Sequence, residues 1–106
     1  MASDVNDLTI DHEEDGRLVR KVFDKRILSK GAWATVMFRY SDMNKQTGEY
    51  RELKVKICRY KKVNGEYGRP QSSFNVSSAA QAWQIADILQ EWYPRSEGEN
   101  LGETEE

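Results

Sequence analysis

The chain has few of the reactive and cross-linking side chains on which many enzymes and secreted proteins depend. Among its 106 residues there are one cysteine, one histidine and two prolines. The lone Cys58 excludes an intrachain disulfide and a cysteine-rich zinc cluster. Because His12 is the only imidazole, a Ser-His-Asp triad and a two-histidine metal site are excluded as well. We therefore expect no enzymatic activity, no metal and no cofactor.

Long apolar runs are also missing from the chain. No segment approaches the roughly 18 apolar residues that a membrane span needs. The N-terminus lacks the basic and apolar regions of a secretory signal. We expect a cytoplasmic protein, nucleoid-associated if bacterial, with neither a membrane nor a small-molecule substrate as its partner.

Basic residues are absent from both ends of the sequence. Residues 1–16 hold six acids, residues 96–106 hold five, and neither segment contains Lys or Arg. The other seven acids and all 16 bases lie in residues 17–95, which carry a net charge of +9 in a chain of net charge −2. Acidic segments with few large apolar residues bury too little surface to offset their ordering entropy. The sequence thus predicts one domain at 17–95 between two disordered acidic tails.

Alternating apolar and polar residues predict the strands of this domain. Residues 17–29 have no clear period, but their β-branched and aromatic content favours a strand. Residues 32–41 and 50–63 alternate clearly. In the second of these, Leu53, Val55 and Ile57 are the expected core face. Lys54, Lys56, Cys58, Tyr60 and Lys62 would then lie on the opposite face.

A turn signal and a helix signal complete the pattern. Asn64-Gly65 favours a type I′ hairpin turn, and the return strand that follows is interrupted by Gly68 and Pro70. Residues 77–93 have apolar residues at spacings of three and four, a serine N-cap and a terminating proline. The predicted fold is α+β, a four-stranded antiparallel meander followed by one C-terminal helix.

The apolar stripe of the helix is wider than a small sheet covers. Trp83, Ala86 and Tyr93 broaden it, which suggests that a second copy of the chain packs there. We therefore expect a homodimer. Its interface would include Ile85, Leu89 and Trp92.

A single helix covers one sheet face, so the other face is expected to contact water. Cations on that face would contact phosphates and aromatic rings would stack on bases. The expected nucleic-acid-binding residues each carry a cation or an aromatic ring. They are Trp33, Arg39, Lys54, Lys56, Tyr60, Lys62, Tyr67 and Arg69.

Residues 54–83 resemble the end of the positive cofactor four (Sub1-type) transcriptional coactivator domain. The similar elements are Ile57-Cys58-Arg59-Tyr60, the Asn64-Gly65 turn, Phe74-Asn75-Val76-Ser77 and Gln81-Ala82-Trp83. The chain departs from the family at Ser72-Ser73, where paired lysines are usual, and at Phe74, where glycine is usual. The resemblance implies a homodimer that binds single-stranded DNA on curved sheets with its helices at the interface, as the related Whirly proteins also imply.

Three functions are compatible with these patterns. The first is binding of single-stranded DNA or RNA, as a transcription or DNA-metabolism cofactor. The second is a protein-interaction adaptor whose basic sheet face binds an acidic partner. The third, a carboxylate-using enzyme, ranks last because the core acids lie mostly at turns or on the helix.

Overall fold

The computed structural model describes residues 2–95 and Thr104–Glu105. It is α+β, with a largely antiparallel sheet and one C-terminal helix, as the sequence predicts. The sheet has more strands than the four predicted, because the return strand is divided in two and both acidic ends contribute a short strand. The elements are β1 (His12–Glu14), β2 (Arg17–Lys30), β3 (Trp33–Asp42), β4 (Lys54–Val63), β5 (Glu66–Tyr67), β6 (Ser72–Val76), α1 (Ala79–Trp92) and β7 (Thr104–Glu105).

The three long strands form the centre of the sheet in the order β2, β3, β4, and neighbours are antiparallel. β1 pairs with the start of β2, while β5 and β6 both pair with β4. The short β7 runs parallel to the end of β2. Register shifts in β2 at Phe23 and Leu28 mark bulges, which increase local twist. The sheet curls into a half-barrel.

The hairpin between β4 and β5 confirms the turn that the sequence predicts. Asn64 and Gly65 have φ values of +53° and +79°. A type I′ turn needs positive φ at both central residues, and its twist matches that of the flanking strands. Val63 therefore pairs with Glu66, and Lys62 pairs with Tyr67.

The return strand breaks where the sequence predicts. Pairing with β4 stops after Tyr67 and is resumed when the Gln71 amide donates to the Arg59 carbonyl at 2.7 Å. Pro70 lies in the gap, where its missing N–H costs no ladder hydrogen bond. From Ser72 onward, β6 pairs with β4 in regular antiparallel register.

The sheet buries the face opposite to the one expected. Val36, Phe38 and Cys58 are fully buried and lie on one face, which we call the inner face. On the other, the outer face, Val55 and Ile57 are half-buried, and Leu53 before β4 is 43% exposed. Alternation shows that a strand has two different faces but does not show which one is covered. The prediction of a core made by Leu53, Val55 and Ile57 was therefore wrong.

The N-terminal segment, residues 2–14, covers the inner face. Val5 and Leu8 are buried in the core cluster, as the first residue and the C-cap of a short 3₁₀ turn at Val5–Asp7. Burying two such side chains contributes about 1.5–3 kcal/mol each, and pairing of β1 with β2 and hydrogen bonds from Lys25 and Tyr67 hold the segment as well. Disorder of residues 1–16 was therefore a wrong prediction. The expectation for the other tail falls mostly on residues 96–103 and 106, outside the described part, although Thr104–Glu105 form β7.

Helix α1 matches its prediction but packs little within one chain. The Ser78 hydroxyl accepts from the Gln81 amide at 3.1 Å as the N-cap, and the helix ends just before Pro94. None of its residues is buried, and Trp83 and Trp92 are 70% and 69% exposed. The N-terminal segment, rather than the helix, thus covers the sheet. Within residues 2–95, no helix is long and apolar enough to cross a membrane.

Candidate nucleic-acid interface

An open groove of about 990 Å³ lies on the inner face, between the N-terminal segment and strands β4 to β6. Three basic side chains from different elements line it, namely Arg20 of β2, Lys56 of β4 and Arg69 of the gap between β5 and β6. Strand pairing brings these cations together, although they are far apart in sequence. We call this cavity the inner groove.

Two tyrosines form the aromatic part of the inner groove. The Tyr60 and Tyr67 rings meet edge to face, with centroids 6.5 Å apart. The Tyr67 hydroxyl donates to the Gly31 carbonyl at 2.6 Å, and the Lys62 ammonium lies 5.2 Å from the Tyr67 ring centroid. Both tyrosines are 2% exposed. Contrary to expectation, neither ring presents an open stacking surface in this structure.

Tyr60 has an unusual environment for its hydroxyl. This oxygen is buried and has no hydrogen-bond partner within the described chain. Burial raises the pKa of Tyr60, and the neighbouring Cys58 adds to the shift. The pKa of Cys58 is raised as well, mainly by burial. Both groups are therefore held neutral at physiological pH.

An ion-pair network lies at the end of the inner face where β2, β3 and β4 meet. Asp42 accepts from Arg20 at 2.9 Å and from Lys54 at 3.3 Å. Partial burial opposes ionisation of Asp42, but the hydrogen bonds and charges of Arg20 and Lys54 outweigh it and lower its pKa. Lys54 thus lies on the expected face, but a carboxylate already holds its ammonium group.

Two of the expected site residues lie on the outer face instead. Trp33 pairs with Lys61 across β3 and β4, and Arg39 pairs with Val55. The Arg59 guanidinium lies 4.4 Å from the Trp33 ring centroid, in cation–π geometry. The structure thus separates Trp33 and Arg39 from the inner-face set. That set comprises Lys54, Lys56, Tyr60, Lys62, Tyr67 and Arg69.

Sequence reasoning missed two inner-face cations on β2. Arg20 contacts Asp42, and Lys25 donates to the carbonyls of Asn6 and Leu8 at 2.6 and 2.7 Å. Because the period of residues 17–29 was ambiguous, no face was assigned to either residue. Lys25 lies on the inner face because it pairs with Phe38, a core residue of the neighbouring strand. That register is visible only in the structure.

The outer face carries an apolar patch formed by cross-strand neighbours. Met37, Ile57 and Phe74 form one row across three strands, beside the pair Val55 and Val76. Phe74 is 49% exposed. On α1, Leu89 and Trp92 are 46% and 69% exposed, whereas Ile85 is half-buried. Two apolar surfaces therefore remain uncovered in a single copy of the chain.

Comparison with known proteins gave no match among protein-family models, curated proteins or solved structures. Across the described ranges, no group of three or more acidic, cysteine and histidine side chains is arranged to hold a metal ion.

Proposed function

We propose that this protein binds single-stranded nucleic acid, most favourably DNA, through the inner groove. The observation that carries the proposal is the joint lining of one groove by Lys56, Arg69, Tyr60 and Tyr67. Cations there contact phosphates, and aromatic rings stack on bases once they are uncovered. The absence of acidic residues from β4, which carries five bases, adds to the support. The resemblance of residues 54–83 to the positive cofactor four domain, which is part of this proposal, would imply the same function.

An unpaired strand fits this groove better than a duplex does. In a duplex the base faces are stacked on one another, and proteins read the exposed edges with an element that enters the major groove. The inner groove is a recess, and no described strand or helix projects from it. Its aromatic rings are useful only to bases whose faces are free. A role in transcription or DNA metabolism, in the cytoplasm or nucleoid, is part of the same proposal.

The proposal includes a homodimer. The apolar surface of α1 and the apolar patch of the outer face are both exposed in one chain, and a second copy would cover them. They lie away from the inner groove, so association through them would leave that groove open in both copies. Ile85, Leu89 and Trp92 would lie at this interface.

One observation favours a second function. One wall of the inner groove is an acidic peptide, since Asp7 and Asp11 of the N-terminal segment line it beside the basic side chains. An acidic segment of another protein would meet the same charges. The alternative is therefore an adaptor that binds such a partner.

Fluorescence anisotropy with labelled oligo(dT), duplex DNA and RNA at two salt concentrations tests the main proposal. Lys56→Ala/Arg69→Ala should weaken oligo(dT) binding and reduce the slope of log affinity against log salt by roughly one to two. Arg39→Ala/Lys61→Ala is the matched control, because it removes two positive charges from the outer face. Equal weakening by both pairs would show that net charge, rather than the inner groove, determines binding. Loss of binding only in the control pair would place the site on the outer face.

A further inference from the structure

The N-terminal segment is attached to the inner face by several kinds of contact. Val5 and Leu8 are buried in the core cluster beside Tyr60 and Tyr67. The Lys25 ammonium donates to carbonyls of the 3₁₀ turn, and the Tyr67 amide donates to the Ala2 carbonyl at 2.7 Å. The segment therefore lies over the tyrosines that the proposed function needs.

The segment also carries the charge of a competing ligand. Residues 1–16 hold six acids and no Lys or Arg. Two of these acids, Asp7 and Asp11, line the inner groove together with Arg20, Lys56 and Arg69. The Asp11 carboxylate accepts from the Val22 amide at 2.7 Å, so it is held at the groove without a direct ion pair to these cations. Phosphates of a bound strand would enter the positive potential that these carboxylates already reduce.

While the N-terminal segment lies on the inner face, one hydroxyl of that face lacks a hydrogen-bond partner among the described residues. The Tyr60 hydroxyl is buried without a partner among the described residues, which costs free energy relative to a bonded hydroxyl. At the same time the groove stays open over about 990 Å³. A strand thus has an entry point beside the segment, and Tyr60 gains access to partners once the segment leaves.

From these contacts we propose that residues 2–11 are an internal ligand of the inner groove, which a bound nucleic-acid strand displaces. This inference rests on the proposed function. Under this proposal, the apparent affinity for nucleic acid depends on the fraction of molecules in which residues 2–11 are undocked, because only those molecules expose the two tyrosines. The displacement also reduces the net release of ions on binding, since displaced carboxylates take up cations from solution as the phosphates release theirs.

The test loosens the segment within the full chain. Val5→Ser/Leu8→Ser removes its two buried anchors, and Leu53→Ser, which makes one of these exchanges at an exposed position outside the segment, is the control. Relative to wild type and control, the double variant should bind oligo(dT) of roughly 16 nucleotides at least about fivefold more tightly at low salt. Its salt slope should be steeper, and a thiol reagent should modify its buried Cys58 faster.

Hydrogen exchange of the wild-type protein keeps the test decisive if the double variant unfolds. Adding oligo(dT) should speed amide exchange in residues 2–11 and at the Tyr67 amide. Binding with unchanged or slower exchange in residues 2–11 would overturn the displacement while leaving nucleic-acid binding intact. Equal affinity of a folded double variant and the control would overturn it too. Absence of oligo(dT) binding by every variant would instead overturn the proposed function, and the displacement with it.

Discussion

At the scale of single residues, Asp42 couples folding to pH. Its lowered pKa means that the folded protein favours the ionised form. The stabilisation is therefore complete above the ordinary aspartate pKa of 3.8 and is lost as pH falls through the lower folded-state value. Asp42→Asn should reduce the free energy of unfolding at pH 7 by about 0.5–1 kcal/mol, since the ion pairs are partly exposed.

Urea denaturation of wild type and Asp42→Asn at pH 7, 5 and 3 measures this coupling. The difference between the two proteins should be the same at pH 7 and pH 5 and should shrink below pH 3.8, the ordinary value. Glu52→Gln, at an exposed position in the loop before β4, is the control and should change stability little. A difference that stays constant from pH 7 to pH 3 would show that the charge of Asp42 does not contribute.

At the scale of elements, the β4–β5 hairpin depends on one glycine. Gly65 has a φ of +79°, and an added Cβ would meet nothing within 4 Å. The cost of Gly65→Ala is therefore backbone strain alone, about 1 kcal/mol or slightly more. Thermal or urea unfolding measures it. Gly16→Ala, in the β1–β2 turn, is the matched comparison, because Gly16 has a φ of +77° and also lies in open space. A loss of stability in Gly16→Ala but not in Gly65→Ala would contradict the role of Gly65 in the hairpin.

Helix α1 carries the prediction for assembly. Leu89 is 46% exposed in a single copy, so Leu89→Asp should leave the monomer fold intact and prevent association. Gln90→Asp places the same new charge on the polar side of the helix and should still give a dimer. Sedimentation velocity at high micromolar concentration measures the difference. A monomeric wild-type protein under these conditions would rule out the homodimer.

Strands and helix were predictable from the sequence because each depends on a local pattern. The strand predicted at 32–41, the Asn64-Gly65 turn and the interruption at Pro70 appear in the structure as expected, whereas the strand predicted at 50–63 begins only at Lys54. The covered face was not predictable, because what covers it comes from residues 2–14, where only Val5, Leu8 and Ile10 are large and apolar. Composition predicts disorder for that segment, but its order depends on contacts with distant residues, namely the burial of Val5 and Leu8 and hydrogen bonds from Lys25 and Tyr67.

At the scale of the whole molecule, the arrangement of charge matters more than its total. The net charge of −2 conceals acidic ends and a basic centre. In the structure Asp7 and Asp11 line the inner groove with Arg20 and Lys56, and Glu14 pairs with Lys45 of the β3–β4 loop. The basic centre of the sequence predicts part of the candidate site. Four of the expected residues do share the inner groove, namely Lys56, Tyr60, Tyr67 and Arg69. The separation of Trp33 and Arg39 did not follow, because it depends on the pairing register of β3 and β4.

The hydrogen bond between the Tyr67 amide and the Ala2 carbonyl also sets an order of events during synthesis. The hairpins of β2, β3 and β4 close between segments that are neighbours in sequence, whereas this contact joins the start of the chain to a strand made much later. Contacts between distant segments require the larger loop-closure entropy and form late. Residues 2–11 are made before the strands and are thus among the last to dock, so a newly made sheet has its inner face uncovered before these residues cover it.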